Sequence, residues 1–119
     1  MKLSVEIPGL VPSAGNLREH WRVRAGRVKR QRQSALILCA GFGRQYLSEC
    51  PDAGLRVTLT RVAMRSLDSD NLPTACKAYR DGIADAFGRA DNHRCFEWNY
   101  GQSKTKGAPF RWIEIEVKR

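Results

Sequence analysis

Two hydrophobic periods alternate along this chain, and their order is the feature that most limits how it folds. Apolar residues recur at every second position in four short stretches, which predicts β-strands. Two longer stretches carry an apolar stripe at helical spacing, which predicts α-helices. The predicted strands cover residues 2–7, 55–64, 96–100 and 113–117, and the predicted helices cover residues 26–48 and 71–87. This β-α-β-α-β-β order favours an α+β fold, a small mixed sheet with two helices packed on it.

Turn-forming residues lie at the ends of these elements. Pro73 suits the first turn of the second helix, and Gly88 suits its C-terminal cap. Residues 102–109 are predicted to form a basic loop before the last strand. The chain contains neither repeats nor low-complexity tracts, so we expect one domain, residues 1–119.

The chain is strongly basic, with 21 Lys and Arg residues against 12 Asp and Glu and a net charge of +9. Such an excess is typical of proteins that bind a polyanion. Nucleic acid and a membrane surface fit the charge equally well. However, no apolar run approaches the ~20 residues that span a bilayer, and the N-terminus lacks the layout of a signal peptide. We therefore expect a cytoplasmic protein without a membrane partner.

Positive charges concentrate in two segments. The first leads into the first predicted helix, where the density of arginines favours contact with a phosphate backbone, although a solvated helix face is the alternative. The second is the predicted basic loop. The candidate DNA-binding residues are Arg18, Arg22, Arg24, Arg27, Lys29, Arg30, Lys104 and Lys106.

The four cysteines, Cys39, Cys50, Cys76 and Cys95, form no C-x-x-C pair. The spacing of a zinc ribbon is therefore absent. Cys39 lies in an apolar run, which predicts a buried position. The cysteines thus point to no metal or redox chemistry.

Two carboxylates lie where the second strand meets the second helix, in the run Asp68-Ser69-Asp70-Asn71. Residues two apart in an extended segment share one face, so both carboxylates can reach one cation. Carboxylate oxygens are the ligands that Mg²⁺ prefers. An acidic metal site in a basic protein suggests cleavage of a phosphodiester backbone. The alternative is that one of the acids, or Asn71, only caps the helix.

Several motifs together resemble the RusA family of Holliday junction resolvases. They are Asp68-Ser69-Asp70-Asn71-Leu72, the run from Lys77 to Gly88, Asp91, and the run from Trp98 to Lys104. The resemblance covers residues 60–107 strongly and residues 7–16 more loosely. It implies a RusA-like fold and a Mg²⁺-dependent endonuclease, with Mn²⁺ as a substitute and no small-molecule cofactor. It further implies a homodimer that nicks two strands of branched DNA, in a bacterial or phage-infected cell.

The resemblance implies that Asp68, Asp70 and Asp91 are catalytic and hold the metal. Asn71 would orient one of these carboxylates. The family usually carries an acidic pair at the third site, whereas Ala90 precedes Asp91 here.

The family also often has a functional lysine one helical turn after the first acidic motif, where this chain has Thr74. Lys77 lies one turn further along roughly the same face, which makes it the candidate catalytic lysine. A surface pair with Asp81 is the alternative. Asp85 is expected to pair with Arg89, also at helical spacing.

The position of Asp91 raises a question of reach. A straight helix over residues 71–87 is ~25 Å long, and the few residues after it span roughly 10–14 Å. Asp91 would then struggle to reach Asp70 of its own chain, unless the helix is short or bends near Gly82. We therefore favour a site shared across the dimer, to which the second subunit contributes its third acid.

The expected function is resolution of four-way DNA junctions by paired nicks, in recombination and repair. Within enzymes, the alternative is a less selective metal-dependent nuclease. From another class, the alternative is a non-catalytic basic nucleic-acid-binding module whose acids only cap and pair. The presence of Asp91 together with the acidic motif disfavours that module.

Overall fold

A computed structural model describes residues 1–8, 21–67 and 71–118 of the chain. The strands are β1 (Lys2–Pro8), β2 (Gly54–Ala63), β3 (Phe96–Lys104) and β4 (Phe110–Lys118), and the helices are α1 (Trp21–Glu49) and α2 (Asn71–Ala86). Residues of both helices and all four strands meet in one hydrophobic core. The predicted α+β class and the β-α-β-α-β-β order are confirmed.

The four strands form one mixed sheet in the order β1-β4-β2-β3. β2 and β3 run parallel, and α2 connects them, as parallel neighbours require a crossover. The other two pairings are antiparallel. The C-terminal ends of β2 and β3 therefore lie at the same edge of the sheet, and the chain leaves β2 there towards α2.

The two faces of the sheet differ in character. The face towards the helices is apolar and buried, with Leu55, Val57, Leu59, Ile113 and Ile115 at its centre. The opposite face is polar and carries four glutamates: Glu6 on β1, Glu97 on β3, and Glu114 and Glu116 on β4. Arg56 and Lys118 form ion pairs with Glu97.

Three boundaries differ from the sequence prediction by three residues or more, and one of them is the start of β4 at Phe110 rather than at residue 113. α1 begins at Trp21 rather than near residue 26, so most of the basic stretch is helical. β3 continues to Lys104, because its residues pair in register with β2 as far as Ala63, and the predicted loop from Gln102 is wrong in that part. Neither described helix combines the length and apolar character needed to cross a membrane.

Helices α1 and α2 touch at two glycines. A Cβ on Gly82 would overlap the carbonyl oxygen of Arg32 and lie 2.8 Å from the Ala35 Cβ, and a Cβ on Gly43 would overlap the carbonyl oxygen of Ala86. Glycine therefore sets the distance between the helices. α2 runs without interruption through Gly82, so this glycine is a packing residue.

An ion pair supports the same contact. The Arg32 Nε and Nη2 atoms donate to the two Asp85 oxygens at 2.6 and 2.9 Å. Asp85 thus pairs across the two helices, and the expected pair with Arg89 is wrong. Arg89 instead donates to the Tyr46 hydroxyl and the Pro51 carbonyl.

We expect Gly82→Ala to destabilise the protein by about 1–3 kcal/mol, because the added methyl group meets α1 backbone that cannot move away. Gly41→Ala is the matched control. Its Cβ would lie 3.9 Å from the flexible Arg44 side chain, so the higher helix propensity of alanine should stabilise the protein by up to about 1 kcal/mol. Urea unfolding measures both, and equal stability changes in the two variants would contradict the packing role.

Candidate active site

The chain reverses direction immediately after α2. Gly88 has a φ of +63°, the Arg89 amide donates to the Ala84 carbonyl at 3.1 Å, and the Gly88 amide donates to the Asp85 carbonyl at 2.9 Å. These bonds form a Schellman motif, in which a left-handed glycine closes the helix. The predicted cap at Gly88 is confirmed, and it turns the following residues back along the helix.

The backbone of Asp91 is held against this helix from two sides. The Trp98 Nε1 atom donates to the Asp91 carbonyl oxygen at 2.7 Å, and the Arg80 Nη2 atom donates to the same oxygen at 3.4 Å. Trp98 lies on β3 and Arg80 on α2. The position of Asp91 is therefore set by the sheet and the helix, whatever its own side chain does.

The Asp91 carboxylate lies between two cations of α2. Its Oδ2 atom is 2.8 Å from Lys77 Nζ and 2.8 Å from Arg80 Nε. The hydrogen bond from Lys77 is the main reason that the pKa of Asp91 lies below its usual value. Lys77 also contacts Asp81 at 2.9 Å, so the alternative surface pair exists beside the contact with Asp91, which was not predicted. These two partners raise the pKa of Lys77, with Asp91 the larger cause.

Arg80 is itself held by two aromatic side chains of β3. Its guanidinium lies over the Trp98 ring, 4.7 Å from the centroid, and its Nη1 atom donates to the Tyr100 hydroxyl at 2.9 Å. Stacking on an aromatic face suits the planar guanidinium of arginine. Arg80 was not among the predicted site residues, although it lies three positions after Lys77 and therefore on the same side of the helix.

A shallow depression of about 380 Å³ joins these residues to the first turn of α2. Its lining residues are Pro73, Thr74, Lys77, Arg80, Asp91 and Tyr100. Asp91 therefore shares a surface with the start of the helix that follows the acidic motif. The reversal at Gly88 returns Asp91 to the side of α2, at Lys77 and Arg80. Asp70 lies outside the described residues, so the shared site stays a prediction.

Several predicted site residues lie outside the described ranges, namely Asp68, Asp70 and Arg18. Asn71 is the first residue of α2 and is half-buried. In the part of the chain that the structure describes, no three His, Cys, Asp or Glu side chains come together to hold a metal ion. Of the three predicted acids, only Asp91 lies in the described ranges, and its side chain is half-buried.

Each inward-facing row of apolar side chains on β2 and β4 also contains one buried arginine. Arg61 and Arg111 are direct partners across these strands and are only 6% and 1% exposed. Arg61 donates to the carbonyl oxygen of Arg65, and Arg111 lies over the Tyr79 ring at 5.7 Å. Burial and the neighbouring Arg111 lower the pKa of Arg61. The pair places positive charge at the sheet edge where the chain leaves for α2.

The predicted DNA-binding residues that the structure describes are mostly at the surface. Exposed on α1 are Arg22, Arg24, Lys29 and Arg30, while Arg27 is half-buried. Lys104 ends β3, at the same sheet edge as the departure towards α2, and Lys106 follows it in the loop; both are exposed. The cations thus lie on the helix layer and at one sheet edge, away from the glutamates of the outer sheet face.

Comparison of the chain with protein-family models and with curated proteins gives no match.

We expect Lys77→Met to raise the pKa of Asp91 towards its usual value, because the hydrogen bond from Lys77 is the main cause of the shift. Since the folded pKa is depressed, the stability that this pair contributes is present at neutral pH and is lost as pH falls through the folded pKa. Titration of the Asp91 carboxyl carbon by NMR measures the change. Lys104→Met is the control and should leave the curve in place, whereas an unchanged curve in Lys77→Met would contradict the assignment.

Proposed function

We propose that this protein is a RusA-like, Mg²⁺-dependent DNA endonuclease that resolves four-way junctions by paired nicks as a homodimer. The observation that supports this most is the meeting of Lys77 and Asp91, which are 14 positions apart in sequence, beside the start of α2. The resemblance assigns a catalytic role to both residues. A depression that they share with the first turn of α2, which follows the acidic motif in sequence, supports a common catalytic role.

The chemistry of the donors suits the proposed metal. Asp68, Asp70 and Asp91 would hold it, and carboxylate oxygens are the usual ligands of Mg²⁺, with Mn²⁺ also accepted. The lowered pKa of Asp91 keeps this carboxylate ionised at neutral pH, as a ligand must be. When bound, the metal would polarise the scissile phosphate and lower the pKa of a water molecule.

The protein side chains have separate tasks in this proposal. Lys77, whose side chain is 56% exposed, would stabilise negative charge on the phosphate in the transition state. Arg80 would keep Asp91 in place through Trp98 and Tyr100 rather than touch DNA. Asn71 would orient a carboxylate from the first turn of α2.

The charge distribution supports DNA binding on the helix side. Phosphate contacts from exposed lysines and arginines supply most of the affinity of such proteins. The exposed cations of α1 lie on the helix layer, and Lys104 and Lys106 lie at the sheet edge where the chain leaves for α2. The outer sheet face, where four glutamates outnumber Lys2, Arg56 and Lys118, is less suited to a polyanion.

One observation favours the second candidate, a basic nucleic-acid-binding module. Asp91 is already neutralised by Lys77 and Arg80, so its charge has a purely structural explanation. The two candidates differ in their need for metal. A binding module holds DNA equally well in EDTA and leaves it uncut under any divalent cation.

The direct test is cleavage of a synthetic four-way junction and of a matched linear duplex, each in Mg²⁺ and in EDTA. We expect paired, symmetric nicks in the junction alone and only with Mg²⁺. Asp70→Asn should keep junction binding and lower the cleavage rate by about 100-fold or more, because it removes charge at nearly constant shape. Cleavage of both substrates at equal rates would indicate the less selective nuclease, and binding without any cleavage would indicate the module.

The origin of the third acid has its own test, for which Asp70→Asn and Asp91→Asn subunits with different tags are mixed and heterodimers isolated. With Asp91 beside α2 of its own chain, we expect every such heterodimer to be inactive, since each subunit lacks one acid. A heterodimer of wild type and Asp91→Asn is the control and should nick one strand. Recovered activity in the doubly mutated heterodimer would instead place the third acid in the partner's site.

A further inference from the structure

β1 lies at one edge of the sheet, so one side of this strand has no partner among the described strands. On the other side, the Val117 amide donates to the Met1 carbonyl oxygen, which makes this pair one that exchanges hydrogen bonds. Such pairs alternate along an antiparallel ladder, and the register therefore commits the backbone of Leu3, Val5 and Ile7 to β4. The amide and carbonyl groups of the residues between them point to the open edge.

The residues that point to the open edge are all exposed, namely Lys2, Ser4, Glu6 and Pro8. Pro8 has no amide hydrogen, which a strand tolerates where the missing bond faces an edge. On the inward face, Leu3 and Val5 pack against the core but are only half-buried. Open backbone groups beside half-buried apolar side chains are a template for a further strand.

The charges of β1 match a second copy of β1. In an antiparallel pair centred on Ser4, Lys2 lies opposite the partner's Glu6, and Glu6 lies opposite the partner's Lys2. Leu3 then meets the partner's Val5 on the inward face. A shift of two residues in either direction places Lys2 opposite Ser4 or Pro8, so only the centred register joins both opposite charges.

The strand at the other edge, β3, has no such match. Its outward side chains are Glu97, Asn99, Gly101 and Ser103, which include no cation to meet Glu97 of a second copy. Pairing of β3 with itself therefore gains no attraction between opposite charges. Of the two edges, β1 is the one whose sequence favours its own copy.

We propose that a second copy of this chain adds its β1 to this edge, which joins the two sheets into one eight-stranded sheet about a twofold axis at Ser4. Lys2, Ser4 and Glu6 each then exchange two backbone hydrogen bonds with the partner. Self-complementary twofold contacts are the commonest interfaces of homo-oligomers. The inference goes beyond the proposed function, which requires a dimer but names no surface for it, and it holds whether or not the protein cleaves DNA.

The twofold axis has consequences for both faces of the joined sheet. Because the axis runs perpendicular to the sheet, the two helix layers lie on the same side, and the exposed cations of both α1 helices face one polyanion together. The two β3 strands become the outermost strands, ~34 Å apart at seven strand spacings. Asp91 of one copy, which is bonded to Trp98 of β3, is then far from α2 of the other copy.

Exchange of the two charges tests the interface and its register. Lys2→Glu sets two glutamates opposite each other at each end of the pair, and Glu6→Lys sets two lysines there. We expect each variant alone to dimerise about tenfold more weakly or worse. An equimolar mixture of the two should dimerise as tightly as the wild type, because in the heterodimer each glutamate meets a lysine. The dissociation constants are measured by sedimentation velocity over a range of protein concentrations.

Lys104→Glu is the matched control, since Lys104 is an exposed lysine on β3 and the change in charge is the same. It should leave the dissociation constant unchanged. A second readout is cross-linking of Ser4→Cys by a short bismaleimide, because the two Ser4 Cα atoms lie about 5.5 Å apart across the axis. We expect a covalent dimer, whereas Ser103→Cys at the other edge should give only the background of the wild type.

Each possible outcome decides the inference. A monomeric wild type would overturn it together with the proposed homodimer. Unweakened dimers of the single variants, or no cross-link of Ser4→Cys above background, would place the interface elsewhere and leave the homodimer standing. Single variants that stay monomeric when mixed would also overturn it, because the loss would then arise within each chain, where Lys2 lies opposite Glu116. A wild-type dimer that cuts no junction would overturn the nuclease proposal alone.

Discussion

The close contact between α1 and α2 is the constraint on which the rest of the arrangement depends. Because Gly43 and Gly82 lack side chains, the two helix backbones touch, and α2 is held at a fixed height above the sheet. With its inner side committed to α1 and the core, α2 presents Lys77 and Arg80 on the side where the chain returns after Gly88. A wider helix spacing would move Arg80 relative to β3, where Trp98 and Tyr100 contact it.

The order of helices and strands was predictable because the spacing of apolar residues is a local property of each segment of the sequence. The same locality explains the errors. β3 is longer than its apolar alternation suggests because its last residues gain hydrogen bonds from β2, which no local pattern records. Asp85 pairs with Arg32 of α1 instead of Arg89, which is nearer in sequence, because the contact between the helices brings Arg32 and Asp85 together. Local spacing predicts candidate partners, and tertiary packing chooses among them.

The candidate site shows a similar division. Lys77 and Asp91 were identified from the resemblance. Gly88 was identified as a helix cap, but a cap residue does not predict the direction of the chain that follows it. α2 is the uninterrupted helix on which the reach argument rests, and the turn at Gly88 brings Asp91 back to Lys77 and Arg80. Arg61 and Arg111 left a readable signal, since the period of two places each on the apolar side of its strand. A charged residue in such a row indicates a buried charge that some neighbour must balance.

The glutamates of the outer sheet face have a consequence for the encounter with a polyanion. That face carries Lys2, Arg56 and Lys118 against its four glutamates, whereas α1 carries an excess of positive charge, so the two sides of the molecule are electrically unequal. A field of this kind exerts a torque during diffusion, within a range of about 10 Å at 0.1 M salt. A polyanion that approaches the protein would therefore meet the helix layer first, and added salt would weaken this preference.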